Sequence, residues 1–245
     1  MQSGKAFKLK SFVSYLSNVE EFDKPNIQLE QYMTPPDITA NLFQILHFEE
    51  DALENKIVGD FCCGTGMYSI ASSYFNTQKV IGFDVDPNAL AICQENIDNA
   101  ELSDKIEILN YDLLNIQNEE KYKDYFDTVV MNPPFGTKNN EGIDMKLLSA
   151  AIYASKGKVF SLHKESTSKY ILKYVKENYP QVEVELMQKI AFDLPNTYKF
   201  HKKKNAVTEV VLVKIDKTKL KKQEDNVNEI KEQLVDLKLQ DTQDQ

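Results

Sequence analysis

From residue 56 onward, short apolar runs alternate with amphipathic stretches, and this alternation restricts the fold more than any other feature. KIVGDF, KVIGFD, KIEIL, DTVVM and KVFSL have the length and apolar content of buried strands. Between them lie TGMYSIASSYF, PNALAICQENI, DMKLLSAAIYA and STSKYILKYVKENY, which read as helices. Strand and helix repeating in this way imply a parallel sheet with right-handed crossovers. The ending breaks the rhythm. VEVELMQKIAF and AVTEVVLVKI follow with no helix between them, which predicts an antiparallel hairpin at one sheet edge. The expected fold class is therefore α/β, a mostly parallel sheet closed by a C-terminal hairpin.

Upstream, Phe12, Leu16 and Val19 have helical spacing within residues 7–21. A second helix is expected in IQLEQYMTPPDITANLFQIL, with Thr34 at its cap and Pro35 in its first turn. Three regions follow: an N-terminal helical segment (1–50) packing on the main domain, an α/β domain (51–215), and a charged tail (216–245). In the tail, Val227, Ile230, Leu234 and Leu237 have heptad spacing, but two heptads are too few for a coiled coil. A flexible segment is the plainer expectation.

No run approaches 18 apolar residues and the N-terminus has no apolar signal core, so neither a membrane span nor secretion is expected. Cys62, Cys63 and Cys93 have no CxxC spacing and no nearby histidine. That argues against a disulfide framework or a metal site and for a reducing compartment, cytoplasm and nucleus. The net charge of −9 excludes wholesale coating of nucleic acid, so any such contact needs a local patch. All 29 basic residues are lysines, which meet phosphate as point charges.

Two constellations carry chemistry. In VGDFCCGTGMYSI, Asp60 ends a strand, and Gly64 and Gly66 form a turn before a helix. Such a turn lets the backbone approach a ligand. Asp84, at the end of the next strand, stands where an acid can hold ribose hydroxyls, and Asp112 follows the third strand at the same edge, within reach of an adenine amine. Single acids of this kind often only cap turns; three in phase suggest a nucleoside site. The carboxylates would repel a pyrophosphate, and neither GxGxxG nor GxxxxGK[ST] occurs. A cationic sulfonium nucleoside, S-adenosylmethionine, suits the site better.

The second constellation is Asn132, Pro133, Pro134 and Phe135, directly after the fourth strand. Two prolines fix successive φ angles and withdraw two N–H donors, leaving carbonyls at a rigid rim. A planar amine placed there can donate to the Asn132 side-chain oxygen and to the Pro133 carbonyl. Phe135 offers a face for a flipped base.

This NPPF string resembles the signature of Rossmann-like amino-group methyltransferases. Together with EQYMT (30–34), NPPFGTKNNEGIDMKLL (132–148), SLHKESTS (161–168) and DLPNTYKFHKKK (193–204), the chain resembles over residues 7–215 the family that makes N6-methyladenosine in small-subunit ribosomal RNA. The resemblance implies a seven-stranded S-adenosylmethionine-dependent methyltransferase, with residues 51–215 as its catalytic domain and a small zinc-binding activator as its heterodimer partner. It also implies Gln31 and Thr34 beside the cofactor's methionine portion, Gly64 at the glycine turn, Asp84 on the ribose and Asp112 near the adenine. Asn132 to Phe135 would bind the acceptor adenine. Tyr198, Lys199, Phe200, His201 and Lys202 would lie on the RNA path, and the lysine run extends through Lys203 and Lys204. Ile106 and Ile108, on a third strand expected at the sheet edge, are the candidate partner contacts.

Cys62 departs from the family pattern, standing where its turn has a first glycine. If that position needs φ > 0, the side chain weakens the fit. His163 is a candidate pocket residue or a structural histidine. A protein glutamine N5-methyltransferase, a DNA adenine methyltransferase, and a non-catalytic RNA-binding assembly factor of the same fold are the competing readings.

Overall fold

The computed structural model describes residues 6–136, 140–193 and 207–218. Seven strands form one sheet in the order β3-β2-β1-β4-β5-β7-β6. They are β1 (Ile57–Phe61), β2 (Lys79–Asp84), β3 (Ile106–Asn110), β4 (Phe126–Met131), β5 (Ser155–Lys164), β6 (Glu183–Asp193) and β7 (Val207–Asp216). β1 to β5 pair in parallel. β7 inserts antiparallel between β5 and β6, so the expected C-terminal hairpin is present with β6 as its outer edge.

Apolar residues on both faces of each central strand require cover on both sides. Along β4, Val129 and Met131 join one core while Val130 joins the other. Helices α1 (Leu9–Leu16), α2 (Pro36–Phe48), α3 (Met67–Tyr74) and α4 (Pro87–Asn99) cover the first face. Helices α5 (Ile143–Ala154) and α6 (Ser168–Asn178) cover the second. The N-terminal segment packs on the same core, since Phe12, Leu16 and Val19 are all buried in it.

Local chemistry sets the helix starts. Asp86 caps α4 by accepting from the Asn88 N–H at 2.9 Å, and Pro87 opens the helix. α2 begins one residue later than its sequence suggests: Pro35 takes the cap position and Pro36 the first turn. Thr34 is released from capping, and its hydroxyl is used in the site below.

β3 is an edge strand, as expected, but its isoleucines do not face outward. Ile106 is 6% exposed, and both Ile106 and Ile108 pack into the first core. Ile108 is half-buried, so a partner at this edge would meet mainly backbone. The lysine loop, including Tyr198 to Lys204, and the heptad residues of the tail lie outside the described residues.

Next to the register shift of β4 and β5, a Cβ on Gly157 would run into the Asp127 carbonyl oxygen, a backbone atom with little room to yield. Gly157→Ala should therefore destabilise the domain by about 1–3 kcal/mol. Thermal unfolding of the variant should show a loss of roughly 2–4 °C per kcal/mol.

Candidate active site

The carboxyl ends of β1, β2 and β4 open into a cavity of about 140 Å³ that is continuous with solvent. Ligands of such sheets bind at this edge, where helix N-termini and strand ends converge. Asp60, Gly64, Asp84, Asp112, Gln31, Thr34, Asn132 and Pro134 line the cavity. The candidates from both constellations are thus brought to one place.

On the cofactor side, the Gly64 N–H donates to Asp84 Oδ2 at 2.8 Å and the Asp86 N–H to Asp84 Oδ1 at 2.9 Å. The strand-end carboxylate fixes the glycine turn. Burial pushes the Asp84 pKa above its ordinary value, against those stabilising N–H bonds. Gly64 and Gly66 have φ of 53° and 93°. A side chain on Gly64 would meet Phe22 Cζ at 2.8 Å, and one on Gly66 would meet Cys93 Sγ at 2.7 Å. Gly66 holds the helix close to its neighbour instead of lining the cavity. Cys62 has φ of 61°, so the conditional concern applies: this turn does want the left-handed region, and an L-residue occupies it under strain. Asp112 Oδ1 caps the short 3₁₀ helix Leu113–Asn118 by accepting from the Leu114 N–H at 3.0 Å. It therefore caps a turn and lines the cavity together.

On the acceptor side, Asn132 is held at both ends of its amide. Tyr32 Oη donates to Asn132 Oδ1 at 2.7 Å, and Asn132 Nδ2 donates to Thr34 Oγ1 at 3.0 Å. Thr34 in turn donates to Tyr68 Oη at 3.2 Å. Thr34 thus positions the asparagine, a role closer to the acceptor than the one its resemblance implied. Gln31 donates to Asp86 Oδ2 at 2.7 Å, bracing the cofactor wall.

Two expectations need correction. Phe135 does not offer an open face: it is 7% exposed, packed in the first core with its ring centroid 5.8 Å from that of Tyr32. Pro133 is also buried and lies off the cavity wall. His163 is fully buried, bonded through Nε2 to Ser161 Oγ at 2.8 Å, and belongs to the structure beneath the site. Sequence reasoning passed over Tyr32, Glu30, Tyr68 and Phe22. The first two stand inside the quoted EQYMT string, but nothing in that string signals that they bond to residues about a hundred positions away.

The methyltransferase small-domain family model matches residues 35–189. The rRNA N(6)-adenosine-methyltransferase METTL5 of Danio rerio is 41% identical over 211 residues, covering 86% of this chain and 100% of that protein. Its Drosophila melanogaster counterpart is 39% identical over 203 residues, covering 83% and 93%. The chain belongs to the METTL5 methyltransferase family. Among solved structures, PH1948 of Pyrococcus horikoshii matches with a TM-score of 0.72 at 26% identity, covering 86% of this chain and 97% of that one.

As a member of the METTL5 family it is an S-adenosylmethionine-dependent methyltransferase, and the cavity fits that cofactor. Four acidic side chains, Glu30, Asp60, Asp84 and Asp112, and no lysine line it among the described residues, which favours a cation over a phosphate. When bound, S-adenosylmethionine supplies an electrophilic methyl group on a sulfonium. Asp60, Gly64, Asp84 and Asp112, which line the cavity, would hold it.

Asp60 is the most perturbed of these acids. It is 1% exposed, and burial raises its pKa from 3.8 to about 7, opposed by the Ser69 hydroxyl, which donates to it at 2.6 Å. A carboxyl that holds its proton longer when folded loses stability as pH rises from its unfolded value to its folded one. Asp60→Asn should therefore match the wild type near pH 4 and become progressively more stable than it up to about pH 7, with a constant difference above. Thermal unfolding of the cofactor-free protein across that range checks the sign.

Proposed function

We propose that this enzyme transfers a methyl group from S-adenosylmethionine to the N6 amine of an adenosine in small-subunit ribosomal RNA. The observation that carries the reading is the doubly held Asn132 amide at the end of β4, on the wall of the carboxylate-lined cavity. Its relatives of known name act on rRNA adenosine.

A flipped adenine brought to this rim would donate one N6 proton to Asn132 Oδ1. That bond orients the amine and turns its lone pair toward the cavity, so most of the rate gain comes from positioning. Thr34 and Tyr68 keep the asparagine amide from flipping, and no strong base is required. Tyr198, Lys199, Phe200, His201, Lys202, Lys203 and Lys204 supply phosphate contacts and stacking along the RNA path. A small zinc-binding activator subunit adds a strand to the β3 edge through backbone hydrogen bonds. The rationale is that the edge lies open at the end of the sheet order. The site of action is the cytoplasm and nucleus, in keeping with three free cysteines.

The test is methyl transfer from labelled S-adenosylmethionine to ribosomal RNA, by the full chain co-expressed with the activator, followed by nucleoside digestion. Label should appear in N6-methyladenosine. Asn132→Ala should reduce it at least 100-fold, in line with the loss of one preorganised donor or acceptor, while cofactor affinity stays within a few-fold. Label in protein instead would favour the glutamine reading, and bound cofactor with no label anywhere would favour the assembly factor. Replacing Lys199, Lys202, Lys203 and Lys204 with Gln should flatten the salt dependence of RNA binding by up to about 3 in log–log slope. An unchanged slope would remove those lysines from the interface.

A further inference from the structure

The acceptor half of the site is already filled by the chain itself. Asn132 Oδ1, the atom that an acceptor amine would use, accepts from Tyr32 Oη at 2.7 Å. The Tyr32 ring lies against Phe135, the ring that a flipped base would stack on. The backbone N–H of Phe135 itself donates to Glu30 Oε2 at 2.9 Å. Asn140, past the NPPF segment, donates through Nδ2 to the Gln28 carbonyl at 2.6 Å. The turn from Gln28 to Tyr32 is thus fastened to the acceptor wall at three points and to the cofactor wall through Gln31 and Asp86.

The turn is also strained. Glu30 has φ of 53°, in the left-handed region, and its side chain is buried to 7% exposure with its carboxylate engaged. A non-glycine residue in that region persists only where neighbouring contacts hold it, and such strain marks segments that change conformation. Of the contacts that hold it here, the Tyr32 bond to Asn132 Oδ1 is the one an acceptor would replace.

We infer that the Gln28–Tyr32 turn is a gate over the acceptor pocket, in which the Tyr32 hydroxyl stands in for the acceptor amine at Asn132. An entering base must take over the bond to Asn132 Oδ1 and move Tyr32 off Phe135. A small free nucleoside gains few contacts with which to displace the turn, whereas a long RNA gripped elsewhere gains many. The gate thereby discriminates against lone bases and keeps Asn132 correctly oriented until an acceptor arrives. The inference rests on the amine-methylation reading of this site.

Tyr32→Phe removes the hydroxyl and keeps the ring, which makes it the informative variant. Steady-state methylation of ribosomal RNA by the full chain with its activator should show KM for RNA falling about 2- to 10-fold, as expected for losing one competing hydrogen bond. The selectivity for RNA over free adenosine should fall with it. A raised KM or a reduced kcat would overturn the gate and make Tyr32 a helper of the bound acceptor. Unchanged constants would overturn it as well. Wild-type transfer to RNA is the control for the underlying reading: if it is absent, that reading fails by itself. The gate is then decided by the Asn132 side-chain amide resonance in the S-adenosylhomocysteine complex. On adding adenosine, the Tyr32→Phe signal should shift at concentrations that leave the wild-type signal in place, and equal shifts in the two proteins would contradict the gate.

Discussion

The hydrogen-bond chain Tyr32–Asn132–Thr34–Tyr68 is the constraint on which the rest of the site depends. An asparagine amide has two chemically different ends, and its usefulness in gripping an amine requires the oxygen, not the nitrogen, to face the pocket. Thr34 accepts from Nδ2 and donates its own hydroxyl hydrogen bond to the buried Tyr68. That arrangement leaves Oδ1 the only end turned toward Tyr32 and the cavity. It also explains the proline pair. Pro133 and Pro134 hold the backbone after β4 rigid, while the side chain one position earlier is locked from the opposite wall.

The two halves of the cavity solve different electrostatic problems. The cofactor half collects carboxylates at successive strand ends, and burial raises the pKa of both Asp60 and Asp84. A cation brought there relieves a cost that the empty protein bears, so part of its affinity comes from destabilisation already present in the fold. Burial, together with the same carboxylates around it, pushes the Cys62 thiol pKa well up. A thiol so protonated is a poor nucleophile. The left-handed Cys62 is a conformational burden, tolerated because the Asp84 bonds hold the turn in shape.

Much of this was legible in the sequence, and what was not has physical reasons. Apolar runs separated by helical stretches gave the strand and helix positions because burial on both faces of a parallel sheet imposes such runs. Asp60, Asp84 and Asp112 could be placed at one edge because parallel strands put all their C-termini on the same side. The errors arise where long-range contacts decide. Thr34 reads as a helix cap by local rules, but Asn132 claims its hydroxyl from 98 positions away. Phe135 reads as an exposed stacking face, yet Glu30 and Tyr32 close over it. Ile106 and Ile108 read as an exposed edge, yet Ile106 is buried in the core and Ile108 is half-covered by it. Periodicity reports which element a residue occupies and is silent about which distant side chain meets it.

The central claim is that the carboxylate-lined cofactor half and the Asn132 rim form one continuous site for a nucleoside cofactor and an adenine amine. A bisubstrate ligand, with an S-adenosylmethionine analogue tethered through its methyl position to N6 of adenosine, tests this most directly by calorimetry. The account predicts binding to the full chain at least tenfold tighter than that of S-adenosylhomocysteine, with the excess affinity lost when Asn132 is replaced. Affinity no greater than that of S-adenosylhomocysteine, and indifferent to Asn132, would contradict it.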